Sequence, residues 1–205
     1  MAQLVLVRHG AADGAEGRCI GHHDLALTAA GASDVQQLAE SWTGAPPVGL
    51  WSSDLARTCD SAAPFATRFA LDLRTDARLR EMHFGSWEGR TWEELDASDS
   101  DALGRWMAEW TTARAPGGES FPDLVSRCAA FVHDLDAIAT SDASIIVVAH
   151  AGSIRAMLSH LLGVTARQAF AIRLDPARAT ALRLPSPDRP DGELLYANVD
   201  RFPSA

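Results

Sequence analysis

A three-layer α/β/α sandwich with a mostly parallel central sheet is predicted from three observations. The runs Leu4-Val5-Leu6-Val7 and Ile145-Ile146-Val147-Val148 are apolar without alternation, as in strands buried on both faces. Segments of helical apolar spacing follow such runs along the chain, the order that builds parallel sheets. Finally, Arg8-His9, Ser52-Ser53 and His150 stand just past the carboxyl ends of the apolar runs, where open α/β sheets bind ligands.

Residues 3–8 read as the first strand. Thr28 to Trp42 reads as an amphipathic helix, closed by Gly44 and Pro46-Pro47. Residues 48–53 form a second strand, and a helix from Asp54 to Phe69 follows, with Ser52 or Ser53 as its cap. Leu71 to Arg74 is a short third strand. The segment from about 87 to 118 breaks the alternation and carries four of the six tryptophans, Trp87, Trp92, Trp106 and Trp110, among many acids. A helical lid insertion with an aromatic wall is its sharper reading, and ordinary core packing its plainer one. Leu124, Val125, Cys128, Phe131, Val132, Leu135 and Ile138 recur at helical spacing over 121–138. Residues 144–149 are the next strand, and Gly152 to Leu162 the next helix, before Gly163. Residues 170–174, 179–184 and 193–199 read as later strands, with a Pro-rich turn from Pro185 to Pro190.

A chain of 205 residues, 47% hydrophobic, suits one domain with a sizeable core. Its formal charge of −9 sets the overall field against nucleic acid and anionic lipid. All 18 basic residues counted as Lys+Arg are arginine. That excludes a P-loop lysine and Schiff-base chemistry, and favours bidentate recognition of phosphate or carboxylate. Cys19, Cys59 and Cys128 are widely spaced and odd in number, which fits a reducing cytoplasm and no zinc knuckle. No targeting or membrane segment is read. The adjacent His22-His23 pair lacks ligand spacing, and His133 and His160 have no nearby partners in sequence, so neither metal nor cofactor is expected. The expected partner is a small phosphomonoester, with no nucleic acid and no membrane; a homodimer stays open.

His9 and His150 each end an apolar strand and each is followed within two residues by glycine. Arg8 adjoins the first, and Arg57 begins the helix after the second strand. Two imidazoles and two guanidiniums at one sheet edge of an acidic chain make a local anion site, for which phosphate is the natural occupant. Arginine charge should hold a histidine neutral, leaving a ring nitrogen able to attack phosphorus.

Arg8-His9-Gly10, SSDLARTCDSA with Arg57, RLREMHFGSWEG with Glu81, PGGESFPDLVSR, and VVAHAGSIR with His150 together resemble the histidine phosphatase superfamily, the phosphoglycerate mutase-like fold. The resemblance runs in order from residue 4 to about residue 160. It implies that His9 is the nucleophile, that Glu81 is the proton donor and then the base, and that Arg8, Arg57 and His150 bind the phosphoryl oxygens. One departure stands out. Many members follow RHG with Glu-Thr and then an Asn that lines the phosphate site, whereas here the run is Ala11-Ala12-Asp13-Gly14. Arg18, or backbone donors near Ile20-Gly21, are the expected substitutes.

Within the superfamily, EGRCIGHHDLALTAAG, REMHFGSWEGRTWEEL and GGESFPDLVSR resemble the α-ribazole phosphatases, with Ile20 and Ala26 in place of the pattern's Tyr and Pro. That resemblance implies hydrolysis of α-ribazole 5'-phosphate in cobalamin biosynthesis. A broad or sugar-phosphate phosphatase is the alternative, followed by a phosphoglycerate mutase and by a silent phospho-ligand sensor on the same fold. Other hydrolase plans find no footing. There is no G-x-S-x-G elbow, no cysteine has an arginine six positions on, and Asp134-x-Asp136 lies mid-helix.

Overall fold

A computed structural model describes residues 2–135, 143–185 and 190–204. Six strands form one sheet in the order β3-β2-β4-β1-β5-β6: β1 (Gln3–Arg8), β2 (Gly49–Ser52), β3 (Leu73–Thr75), β4 (Ser144–Ala149), β5 (Ala179–Arg183) and β6 (Glu193–Val199). β1, β2, β3 and β4 are mutually parallel, and β5 and β6 add an antiparallel edge.

The side chains of β1 alternate between two cores. Leu4 and Leu6 face a cluster with Leu124, Phe131, Ile154 and Met157, on α4 (Phe121–Leu135) and α5 (Ala151–Leu162). Val5 and Val7 face the opposite cluster with Val35, Leu38 and Phe65, on α1 (Ala29–Glu40) and α2 (Ala56–Phe69). All four β1 residues are fully buried. This is the sandwich expected, and it explains why β1 and β4 read as unbroken apolar runs.

The 87–118 segment packs differently. α3 (Trp92–Glu109) starts on a Thr91/Glu94 capping box and kinks at Asp99, whose carboxylate accepts the Trp87 indole N–H at 2.9 Å. Its buried face, Leu95 and Leu103, joins Cys19, Trp87 and Ala115 in a small cluster apart from the two sheet cores. Trp87 is thus a core residue, while Trp92, Trp106 and Trp110 keep partial exposure beside the cavity.

Several sequence expectations are corrected. Residues 170–174 are not a strand: α6 (Ala166–Ala171) takes in the first two of them, and the chain is irregular from there to β5. A Thr165/Gln168 capping box nucleates the helix, and Phe170 packs on Trp110 and Phe121. The helix α2 is capped by neither Ser52 nor Ser53. The carboxylate of Asp24 accepts the Ala56 N–H at 3.0 Å, while the Ser53 hydroxyl is engaged elsewhere. The third strand spans Leu73–Thr75, not 71–74, and the helix expected over 121–138 is described through Leu135. Asp136 and most of the Pro185 to Pro190 turn lie outside the described residues. Among the described residues, no helix is long and apolar enough to cross a membrane.

Candidate active site

The carboxyl ends of β1 and β4 lie side by side, with Arg8 paired to Ala149 in the ladder, so His9 and His150 emerge as neighbours. Their ring centroids are 5.1 Å apart. His9 is 9% exposed and His150 is fully buried. The backbone N–H of Gly10 donates to Ser61 Oγ at 3.0 Å, which ties the turn after His9 to α2. A side chain on Gly10 would collide with the Gly31 carbonyl, so the chain crosses α1 there only as glycine.

Hydrogen bonds set the tautomer of each ring. His9 Nδ1 lies 2.7 Å from the Gly10 carbonyl, which can only accept, so Nδ1 carries the proton and Nε2 keeps its lone pair. Burial, with added repulsion from Arg57 and Arg8, pushes the His9 pKa down to about 3, although the Gly10 carbonyl works the other way. His9 is therefore a neutral base at physiological pH. In His150 the order is reversed. Arg57 Nε donates to Nδ1 at 3.3 Å, leaving the proton on Nε2, which donates to Ser53 Oγ at 2.8 Å. Burial first, and then His9 and Arg57, lower the His150 pKa well below its usual value.

Arg57 is 2% exposed and donates from Nη1 to the His23 carbonyl and from Nη2 to the Gly21 carbonyl, which fixes the 18–25 loop against α2. Arg8 donates from Nη1 to the Leu174 carbonyl at 2.6 Å, and its Nε has no partner. Arg18 lies at the rim of the cavity, with Nη1 on the Gly89 carbonyl at 2.8 Å.

Glu81 reaches the same cavity from the irregular segment after β3. Its Oε2 accepts the Gly152 N–H at 3.0 Å, at the N-terminus of α5, and its Oε1 accepts the Met82 N–H at 2.8 Å. A β-carbon on Gly152 would overlap the Glu81 carboxylate, so the glycine makes room for the acid. The Glu81 backbone is clamped as well: its carbonyl accepts from His22 Nε2 and from Arg127 Nη2, both at 2.8 Å. Arg127 also holds the carbonyls of Arg78 and Arg80 and pairs with Glu119. Ser61 and Arg127 were not singled out from sequence, and Ser53 was marked at the ligand edge but not as the partner of His150, because their partners lie far along the chain.

All of Arg8, His9, Arg57 and Glu81 open onto one cavity of about 340 Å³, with His150 directly behind Arg57. Beyond the charged floor the wall turns aromatic: Phe84, Trp92, Trp106, Trp110, Phe121 and Phe170. The indoles of Trp92 and Trp106 stack with centroids 6.3 Å apart. Such a cavity can seat a tetrahedral dianion on its floor and an organic group against its rings.

The sequence model of the histidine phosphatase superfamily, branch 1, matches residues 4–194. The chain belongs to this superfamily. A glucosyl-3-phosphoglycerate phosphatase of Mycolicibacterium vanbaalenii is 36% identical over 172 residues, covering 79% of this chain and 75% of that one. Among solved structures, the α-ribazole phosphatase of Shigella flexneri superposes with a TM-score of 0.88 at 24% identity, over 99% of both chains. A mycobacterial glucosyl-3-phosphoglycerate phosphatase in complex with inorganic phosphate gives a TM-score of 0.84 at 31% identity, over 96% of this chain and 97% of that one. Like others of its superfamily, this histidine phosphatase is a phosphoric monoester hydrolase with the phosphoglycerate mutase-like fold.

Proposed function

We propose that the protein hydrolyses a small phosphomonoester in two steps through a phosphohistidine at His9. The observation that carries this reading is the fixed tautomer of His9: a neutral ring with Nδ1–H bound to the Gly10 carbonyl and the Nε2 lone pair free. In the first step Nε2 forms a bond to phosphorus, the ester P–O bond breaks, and a protonated Glu81 gives its proton to the leaving oxygen. In the second step water attacks phosphorus, Glu81 takes the water's proton, the P–N bond breaks, and phosphate leaves with His9 restored. Arg8 and Arg57 hold the phosphoryl oxygens while charge redistributes over them, and His150, whose Nδ1 accepts from Arg57 Nε and whose Nε2–H is held by Ser53, fixes the Arg57 fork from behind.

For the leaving group, the reading best supported by similarity is a phosphorylated sugar acid of the glucosyl-3-phosphoglycerate kind, since a phosphatase so named shares 36% of aligned residues. The aromatic wall offers ring faces to a sugar. The same wall favours a second reading, α-ribazole 5'-phosphate, whose flat base can stack on Trp92, Trp106 or Phe84. Purified enzyme assayed with glucosyl-3-phosphoglycerate, α-ribazole 5'-phosphate, 3-phosphoglycerate and p-nitrophenyl phosphate separates these readings. A kcat/KM at least about tenfold higher for one of the first two assigns the substrate; equal values for all four indicate a broad phosphatase. Absence of turnover on every one overturns the phosphatase reading.

A further inference from the structure

Among the described residues, three buried side-chain polar atoms lack a hydrogen-bond partner: Arg8 Nε, Trp106 Nε1 and Arg155 Nε. All three are N–H donors, and all three belong to side chains that line the cavity. Buried donors are ordinarily paired, and an orphan at a cavity wall marks where a ligand supplies the acceptor.

Arg155 is the most telling of them. Its buried Nε–H has no hydrogen-bond partner, and its guanidinium rests on the Phe170 ring, 4.7 Å from the centroid. The carboxylate whose charge acts on this half-buried guanidinium is Glu81, which already accepts two backbone N–H groups, and a half-buried charge is normally paired more closely. The cavity wall as a whole carries the same excess. It holds the guanidiniums of Arg8, Arg18, Arg57 and Arg155 against a single carboxylate, Glu81.

The place of Arg155 on α5 says which part of a substrate it meets. Gly152, whose N–H holds the Glu81 carboxylate, and Arg155 are three residues apart on one helix face, about 4.5 Å along the axis. Helical side chains lean toward the N-terminus, so Arg155 covers the turn beside Glu81, on the leaving-group side of the phosphate floor.

We propose that Arg155 is a specificity-determining residue that receives a carboxylate borne by the leaving group, so that the preferred substrates are phosphorylated hydroxy acids. The inference rests on the phosphatase reading and deepens it, by naming the second anion the site accepts. A planar guanidinium forks onto a carboxylate through two N–H groups, and Nε–H with one Nη–H is one such fork.

The test is a binding measurement, free of turnover. His9→Ala protein is titrated by calorimetry with 3-phospho-D-glycerate and with sn-glycerol 1-phosphate, which share the configuration at C2 and differ at the carboxylate carbon alone. The expected result is binding of the acid at least about tenfold tighter than the alcohol, the size of a charge-assisted pair. Adding Arg155→Gln should bring the ratio to within about twofold, and Arg155→Lys, which keeps the charge but not the fork, should leave an intermediate preference. Equal affinities in the His9→Ala parent overturn the proposal, as does a ratio that Arg155→Gln leaves unmoved. If Arg155→Gln binds neither ligand, Arg155→Lys decides: a ratio lowered severalfold supports the assignment and an unchanged one refutes it. Hydrolysis of p-nitrophenyl phosphate by the unmodified enzyme tests the phosphatase reading separately.

Discussion

At the floor of the cavity nearly every polar group already has a protein partner: His9 on Gly10, His150 between Arg57 and Ser53, Arg57 on two loop carbonyls, Glu81 on two backbone N–H groups. At the aromatic end the indole N–H of Trp106 and the Nε–H of Arg155 have none, and rings make up most of the wall. The floor is preorganised for one operation on a phosphoryl group, with tautomers and orientation set before substrate arrives. The aromatic end is left incomplete, so the ligand itself finishes it. Changes to the floor should therefore depress the reaction on every substrate, and changes at the other end should alter the ranking among substrates.

The largest effect belongs to the nucleophile. His9→Ala should lower kcat by about a thousandfold or more on all phosphomonoesters, in steady-state assays of protein whose far-UV circular dichroism is unchanged. Next is Glu81→Gln, expected to cost about a hundredfold to a thousandfold in kcat on an alkyl phosphate. The loss should be much smaller on p-nitrophenyl phosphate, whose leaving group needs little protonation. Equal losses on both substrates would contradict proton donation by Glu81.

Ser53→Ala is milder. It removes the acceptor for the His150 Nε2 proton and should cost about tenfold in kcat/KM across substrates, because a buried donor is left unpaired. An effect on one substrate only would mean that the floor is less uniform than drawn.

The last effect is on stability and not on rate. Unfolded, His9 takes up a proton below about 6.5; folded, it does so only near 3. Between those values the unfolded chain holds more protons, so stability falls as pH drops through the window, and His150 acts in the same direction. Urea unfolding of the wild type between pH 7 and pH 4 should show that decline. His9→Asn should lessen it by up to about 1.4 kcal/mol per pH unit.

Much of the floor was legible because its residues end strands. A run buried on both faces has no alternation, so β1 and β4 announce themselves, and a cationisable residue closing each must lie at the ligand edge. Other features depend on distance along the chain. Asp24 reaches α2 from 32 residues away, and no local pattern marks it as a cap. Arg155 looks like a solvated residue of an amphipathic helix until folding sets it on the cavity wall with its Nε–H unpaired. The strand expected at 170–174 rested on apolar residues between Ala169 and Leu174. The Thr165/Gln168 capping box just before them was the stronger signal, and it starts a helix. The Ser52 or Ser53 cap failed because α2 starts two residues later, on Leu55 as N-cap, where the Ser53 hydroxyl meets only the Leu55 N–H while it also holds His150.

The two-step chemistry at His9 is the centre of this account, and the intermediate tests it most directly. Enzyme mixed with ³²P-labelled substrate, quenched in alkali within milliseconds and digested, should yield label that survives base, is lost in acid, and maps to the peptide holding His9. Full turnover with no label on that peptide, or undiminished turnover by the His9→Ala variant, would contradict it.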